Sequence, residues 1–428
     1  MTSRWEWLDY SENDQKRIRE LLSPGGESDA VDPLRLGAAV RDRVADILFP
    51  GTSTLHRRLR YAILVPALFR SRPRVTPSEV PTREEQWNRR LWAANKDKPG
   101  IVGVFGSQVP STRFVPAYWS SIRTWGFFTV ADRRDATQPK AIASMHAKVE
   151  RNEDGNPIGD IPPVVWHPRL VQLCDELLTQ RATLPTDASV YCSREEAEFI
   201  LERWSSLELA RRAALSSIAD AVAGRVELAR GPSFPWQLSL PGPKEAPVRA
   251  DLAAARAISF VCWTLHLAYN LALMKQARAA EKQGDDAVWM KYPGRMDDTE
   301  VTIDQQVGVW KAALGSEMSR LERWADQQTW FDSGMVATGA PLGTVYDLAA
   351  TTRRLLDGDD DLTKASWVGA VRKREQLKGF SARLSHPAAL AAWTGTPEMA
   401  DRWDFRWRAT SNILRDIERA TARADSDG

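Results

Sequence analysis

Two groupings of residues in this chain of 428 could in principle carry out chemistry. The first is His146-Ala147-Lys148, followed by Glu153 and Asp154. An imidazole can attack phosphorus, a lysine can hold the phosphate, and a carboxylate can orient the imidazole. The acid spacing is irregular and no second copy of the group exists, so these residues read first as a solvated loop. The second is Cys262 with His266, four residues apart, which on a helix could reach one metal ion. Their neighbours Phe260, Val261, Trp263, Leu265 and Leu267 are apolar, which favours a buried helix with a hydrogen-bonded histidine. A phosphate-cradling glycine loop with Lys-Ser/Thr, a GxGxxG fingerprint and a nucleophile-elbow serine are all absent. The expectation is therefore no catalytic residue, no metal and no cofactor.

Charge offers a different chemistry. From Asp46 to Glu79 there is no intervening acid, while Arg57, Arg58, Arg60, Arg70, Arg72 and Arg74 are cationic and His56 stands beside them. Pro50-Gly51 should stop one helix, and Thr52 or Ser53 should cap the next, whose apolar stripe is Leu55, Leu59, Ile63 and Leu64. His56, Arg57, Arg58 and Arg60 would then mostly avoid that stripe, beside a helix start with free N–H groups. That arrangement suits a phosphate backbone. The competing reading is that these arginines form ion pairs with neighbouring helices, for instance with Asp42 and Asp46. A second cationic stretch supplies Arg372, Lys373, Lys378 and Arg383 as further candidate nucleic-acid contacts.

The elements that would position these residues are helices. A capping pattern at Ser11 and Asp14 predicts a helix to about Leu22, and a second is expected over about 37–49. Thr82 with Glu85 should cap a helix carrying Trp87 and Trp92, and another is expected over about 115–125. Ser193-Arg-Glu-Glu196 is a capping box for a helix to about Trp204, and an Ala/Leu-rich helix should continue to about Ala223. Val248 to about Gln283 reads as one long, largely apolar helix, followed by helices near 300–328, 343–357, 363–388 and 405–424. Strand-like alternation is scarce, so the fold class is all-α, an irregular multi-helix bundle. The organisation expected is an N-terminal helical subdomain over 1–130, a loop-rich connector over 131–192 and a C-terminal helical subdomain over 193–428.

Bulk composition narrows the setting. The 58 basic and 56 acidic side chains leave a net charge of +2, so only a local patch could attract nucleic acid. The 18 Trp outnumber the 12 Phe and 7 Tyr and are spread along the chain, which favours core packing over a base-stacking platform. Cys174, Cys192 and Cys262 lack CxxC spacing and read as reduced, structural thiols. The opening Met-Thr-Ser-Arg-Trp-Glu-Trp lacks a signal-peptide core, and no run approaches eighteen consecutive apolar residues. A cytoplasmic protein with no membrane contact is expected.

The chain resembles an uncharacterised bacterial family, domain of unknown function 6361. The resemblance rests on Trp7-Leu-Asp-Tyr-Ser11, Asp46-Ile-Leu-Phe-Pro-Gly-Thr-Ser-Thr-Leu55 and Arg60-Tyr-Ala-Ile-Leu-Val-Pro66. It returns at Tyr118-Trp119 to Trp125-Gly126, Trp166-His-Pro168, Ser193-Arg-Glu-Glu-Ala197, Arg374-Glu-Gln-Leu-Lys-Gly379 and Ala382-Arg-Leu384. Family members usually read Gln-Thr-Arg-Ala-Arg-Tyr where this chain has His56-Arg-Arg-Leu-Arg-Tyr61. The resemblance implies no catalytic residues. It does imply a setting in anti-phage defence islands, beside helicases and nucleases of the phospholipase-D type, whose sites also use a His-x-Lys pair. The expected function is a non-catalytic nucleic-acid-binding or scaffolding subunit of such a defence complex, with DNA and helicase or nuclease subunits as partners. Two alternatives stay open: a protein adaptor that docks those subunits without touching nucleic acid, and a nuclease using His146, Lys148 and Glu153.

Overall fold

The computed structural model describes residues 32–422 apart from 97–99, 103–112, 131, 133–135, 148–149, 153–156, 159–161, 179–182, 207–218, 220–230, 241–244, 285 and 335–339. The expected helices at 11–22 and up to Ala223 fall outside these residues, or almost entirely so, as do Lys148, Glu153 and Asp154. The fold is all-α. In chain order the helices are α1 (Asp42–Leu48), α2 (Tyr61–Arg70), α3 (Val80–Ala94), α4 (Phe114–Thr124), α5 (Gln138–Ser144), α6 (Pro168–Leu177) and α7 (Arg194–Ser205). They continue as α8 (Ala246–Gln283), α9 (Arg295–Leu321), α10 (Gln327–Asp332), α11 (Leu342–Leu356), α12 (Ala365–Glu375), α13 (Pro387–Ala391) and α14 (Trp407–Ala422). A π-helical turn, Gly37–Arg41, leads into α1. Two short antiparallel ribbons complete the picture, Phe128–Val130 with Val164–Trp166 and Glu150–Arg151 with Pro157–Ile158.

The chain divides into two compact units that interleave along the sequence. Among the described residues, unit 1 takes 48–248 and 406–422, and unit 2 takes 32–47 and 249–405.

Unit 1 is built around α2. Every residue from Tyr61 to Phe69 is buried, because α2 packs against α3, α4 and α6. Each large apolar side chain so enclosed contributes about 1.5–3 kcal/mol. The helix passes through Pro66 and ends at Arg70. The Ser193 box is present at the start of α7: the Ser193 hydroxyl accepts from the Glu196 N–H, and the Glu196 carboxylate accepts from the Ser193 N–H. By contrast, α3 begins at Val80, two residues before Thr82, with no side-chain cap.

Unit 2 is organised on α8, the long helix expected from the sequence. It is long and apolar enough to cross a membrane by length and composition, yet 94% of its most apolar window is buried inside the protein. Its polar residues explain why it can be buried on all sides. The Ser259 hydroxyl donates to the Trp403 carbonyl, Trp263 Nε1–H to the Ala400 carbonyl, and the Asn270 side chain bonds both the N–H and the carbonyl of Glu398. These bonds hold 398–403 against α8 without an adjoining strand. The single helix expected over 363–388 is broken: α12 ends at Glu375, a 3₁₀ segment covers Gln376–Ser381, and α13 starts at Pro387. Gly379, at φ +60°, causes the break.

The tryptophans behave as core. Among the described residues all are buried except Trp92 and Trp236. The three cysteines are free and buried.

Candidate nucleic-acid interface

The segment 51–60 is not a helix. It is a turn-rich loop, and α2 starts only at Tyr61. Gly51 (φ +74°) lies so close to Trp125 that a Cβ there would meet its Nε1 at 2.7 Å. The same indole N–H donates to the Pro50 carbonyl at 2.9 Å, and the Ser121 hydroxyl donates to the Gly51 carbonyl at 2.7 Å. The Tyr118 hydroxyl accepts from the N–H groups of Arg57 and Arg58 and donates to the Arg58 carbonyl. Phe-Pro-Gly-Thr-Ser-Thr is thus a structural junction, with its Pro50 and Gly51 carbonyls bonded by Trp125 and Ser121. Leu55, expected in the core, is 48% exposed, whereas Leu59 is fully buried.

His56 is part of that junction. It is fully buried, stacked on the Tyr118 ring at 4.2 Å. Its Nδ1 accepts from the Ser53 N–H, which leaves Nε2 to donate to the Ala117 carbonyl at 3.1 Å. Burial pushes its pKa down to about 3, against a partly compensating Ala117 hydrogen bond, and the Arg406 charge adds to the depression. A neutral ring of this kind cannot present charge to a phosphate. It does make folding pH-dependent. The unfolded histidine takes up a proton below about pH 6.5, whereas the folded one stays neutral until about pH 3. Its contribution is therefore complete above pH 6.5 and is lost as the pH falls, by about 2 kcal/mol at pH 5. Urea unfolding at pH 7 and pH 5 should show a smaller acid loss for His56→Asn than for wild type. Equal losses would show that His56 is not the titrating group. Glu84, raised by burial to about 7, works in the opposite sense and is common to both proteins.

The arginines of the run separate into two classes. Arg58, Arg60 and Arg70 are structural. Arg58 Nη1 meets Asp416 Oδ1 at 2.9 Å, in a pair that is almost wholly buried, and its guanidinium lies over the Tyr191 ring. Arg60 donates through Nε to Glu196 Oε1 and through Nη1 to the Ser189 carbonyl. Arg70 forms a two-pronged pair with Asp175, at 2.8 and 3.0 Å, and also donates to the Met145 carbonyl. Ion pairing with neighbouring helices is one of the two readings open from the sequence, and the pairs found here are with Asp416, Glu196 and Asp175. Arg57, Arg72 and Arg74 form the second class: they are exposed, and their side chains have no polar partner among the described residues. His146 lies within range of this charge. Burial chiefly lowers its pKa, and the charges of Arg70, Arg74 and Arg72 lower it further.

The second cationic stretch divides in the same way within unit 2. Arg372 and Lys373 are exposed in the last turn of α12. Lys378 is buried, near enough to Glu398 to bear on its carboxylate. Arg383 is buried and paired with Glu398. Arg374, buried as well, donates to Asp347 and Thr344.

Of the eight candidates, then, Arg57, Arg372 and Lys373 present free charge, Arg60 is part-buried and paired, and His56, Arg58, Lys378 and Arg383 are interior. Arg72 and Arg74 belong with the free group. Their place in the proline-rich segment 72–81 was the available signal, since such connectors run over the surface. The Cys262–His266 pair also has a structural role, with His266 Nδ1 bonded to the Cys262 carbonyl at 2.8 Å. Among the described residues no group of three or more His, Cys, Asp or Glu is arranged to hold a metal. No curated protein and no solved structure matches the chain. Over residues 2–132, the part that contains the whole arginine run, the chain matches the model of a family of unknown function (DUF6361).

Proposed function

We propose that the protein is a non-catalytic nucleic-acid-binding subunit that grips the phosphate backbone through Arg57, Arg72 and Arg74 and works within a bacterial anti-phage defence complex. The observation that carries the proposal is the division of the arginine run. Three of its members are neutralised by carboxylates, and three stand in solvent with their side chains unpartnered among the described residues. Free guanidinium groups suit phosphate oxygens and carry no base selectivity on their own. The defence setting, with helicases and nucleases as neighbours, is only what the family resemblance implies. Cleavage then falls to those partners.

Binding of the full chain to duplex DNA over a salt series tests the reading. If each of the three arginines neutralises one phosphate, log K should fall with log salt at a slope of about −2.7. That corresponds to about a 40-fold loss between 50 and 200 mM. Absent or salt-independent binding would reject the nucleic-acid reading and leave the protein-adaptor alternative, which co-purification with partner subunits free of nucleic acid would support.

A further inference from the structure

Phe380 is 91% exposed, more than any other large apolar residue described, and Leu377 beside it is 58% exposed. Neither sits on a loose loop. The Glu375 carboxylate, fully buried, accepts from the Tyr269 hydroxyl and from the N–H groups of Arg383 and Leu384, each at 2.8 Å. The Ala382 N–H bonds the Gly379 carbonyl, and the His386 N–H bonds the Ala382 carbonyl. The turn is thus fastened on both sides of Phe380, and the left-handed Gly379 redirects the chain immediately before it. The His386 ring stands 5.6 Å from the Phe380 ring, tilted by 51°.

Along the chain on either side of this ring the exposed charge has one sign. Between Asp361 and Glu398 the only acid in the sequence is Glu375, and its carboxylate is consumed inside the turn. Arg372 and Lys373 are exposed in the last turn of α12, just before it. A rigid, solvent-facing aromatic beside free cations matches a polyanion whose units carry flat π-faces. A duplex hides those faces in its stack, whereas a single strand offers them.

We propose that Phe380 stacks an unpaired base of single-stranded nucleic acid, while Arg372 and Lys373 contact the adjoining phosphates. This inference rests on the nucleic-acid reading above but uses residues of unit 2 that the duplex test does not address.

The test is fluorescence anisotropy of the full chain with a labelled oligothymidylate, an abasic oligomer of equal length and a duplex. Phe380→Ala should weaken oligothymidylate binding about tenfold or more, and Phe380→Trp should retain it. Binding of the abasic oligomer and the duplex should be unchanged by Phe380→Ala. Arg372→Ala with Lys373→Ala should make the single-strand salt slope less negative by about 1.4. If wild type binds duplex or single strand and Phe380→Ala binds oligothymidylate equally well, the inference fails alone. If wild type binds no nucleic acid, both it and the function above fail. Self-association of wild type that is lost in Phe380→Ala, with single-strand binding intact, would assign this face to a second copy of the chain and overturn the proposal.

Discussion

Asp416→Ala should destabilise unit 1 by about 3–5 kcal/mol, among the largest losses any single substitution in the chain would produce. Asp416 is 1% exposed, on α14, and both of its oxygens are engaged. Oδ1 faces Arg58 Nη1 at 2.9 Å, and Oδ2 accepts from the Leu59 N–H at 2.8 Å. Removing the carboxylate strands a buried guanidinium and a buried amide together. Burial nevertheless raises the Asp416 pKa, with the Arg58 charge and the Leu59 N–H acting against that rise. Keeping the charge buried therefore has a cost, and the pair acts more to fix the position of the loop than to add net stability. A second variant separates these contributions. Arg58→Met combined with Asp416→Asn removes both charges but keeps an acceptor for Leu59, and should recover most of the loss. Urea unfolding of the three proteins measures this. If Asp416→Ala loses less than about 1 kcal/mol, or if the double variant is no better than the single one, the pair does not hold the loop.

That pair also shows where sequence reading stops. Local signals with local partners were legible. The Ser193–Glu196 box works within one turn of helix, and α8 declares itself through a long apolar span; both are present. The loop at 51–60 mimics such a signal. Thr52 or Ser53 could cap, and Leu55, Leu59 and Ile63 recur at helical spacing. A helix there would need the amides of 57–59 for its own ladder. Tyr118 takes those of Arg57 and Arg58, and Asp416 takes that of Leu59. These acceptors lie about 60 and 357 residues away in the chain, so no window around the loop could reveal them.

The same distance hid which arginines are free. Glu196 was recognised as a capping residue from its neighbour Ser193, but its Oε1 also neutralises Arg60 from 136 residues away. Arg57, Arg58 and Arg60 look alike in a run without acids, and only tertiary partners distinguish them. Gly379 is the converse case. It is visible in the sequence, but an isolated glycine inside a helical pattern does not by itself end the helix expected over 363–388. Its backbone turn instead exposes Phe380 and buries Lys378.

The central claim is that Arg57, Arg72 and Arg74 are the phosphate-binding members of the run, and one comparison tests it most directly. Arg57→Ala, Arg72→Ala and Arg74→Ala combined in one protein should fold with wild-type thermal stability, because these side chains make no polar contact among the described residues. The salt slope for duplex DNA should then become less negative by about 2.7, about 0.9 per arginine, with binding weakened uniformly across sequences. A triple variant that binds duplex DNA with the wild-type affinity and slope would contradict it.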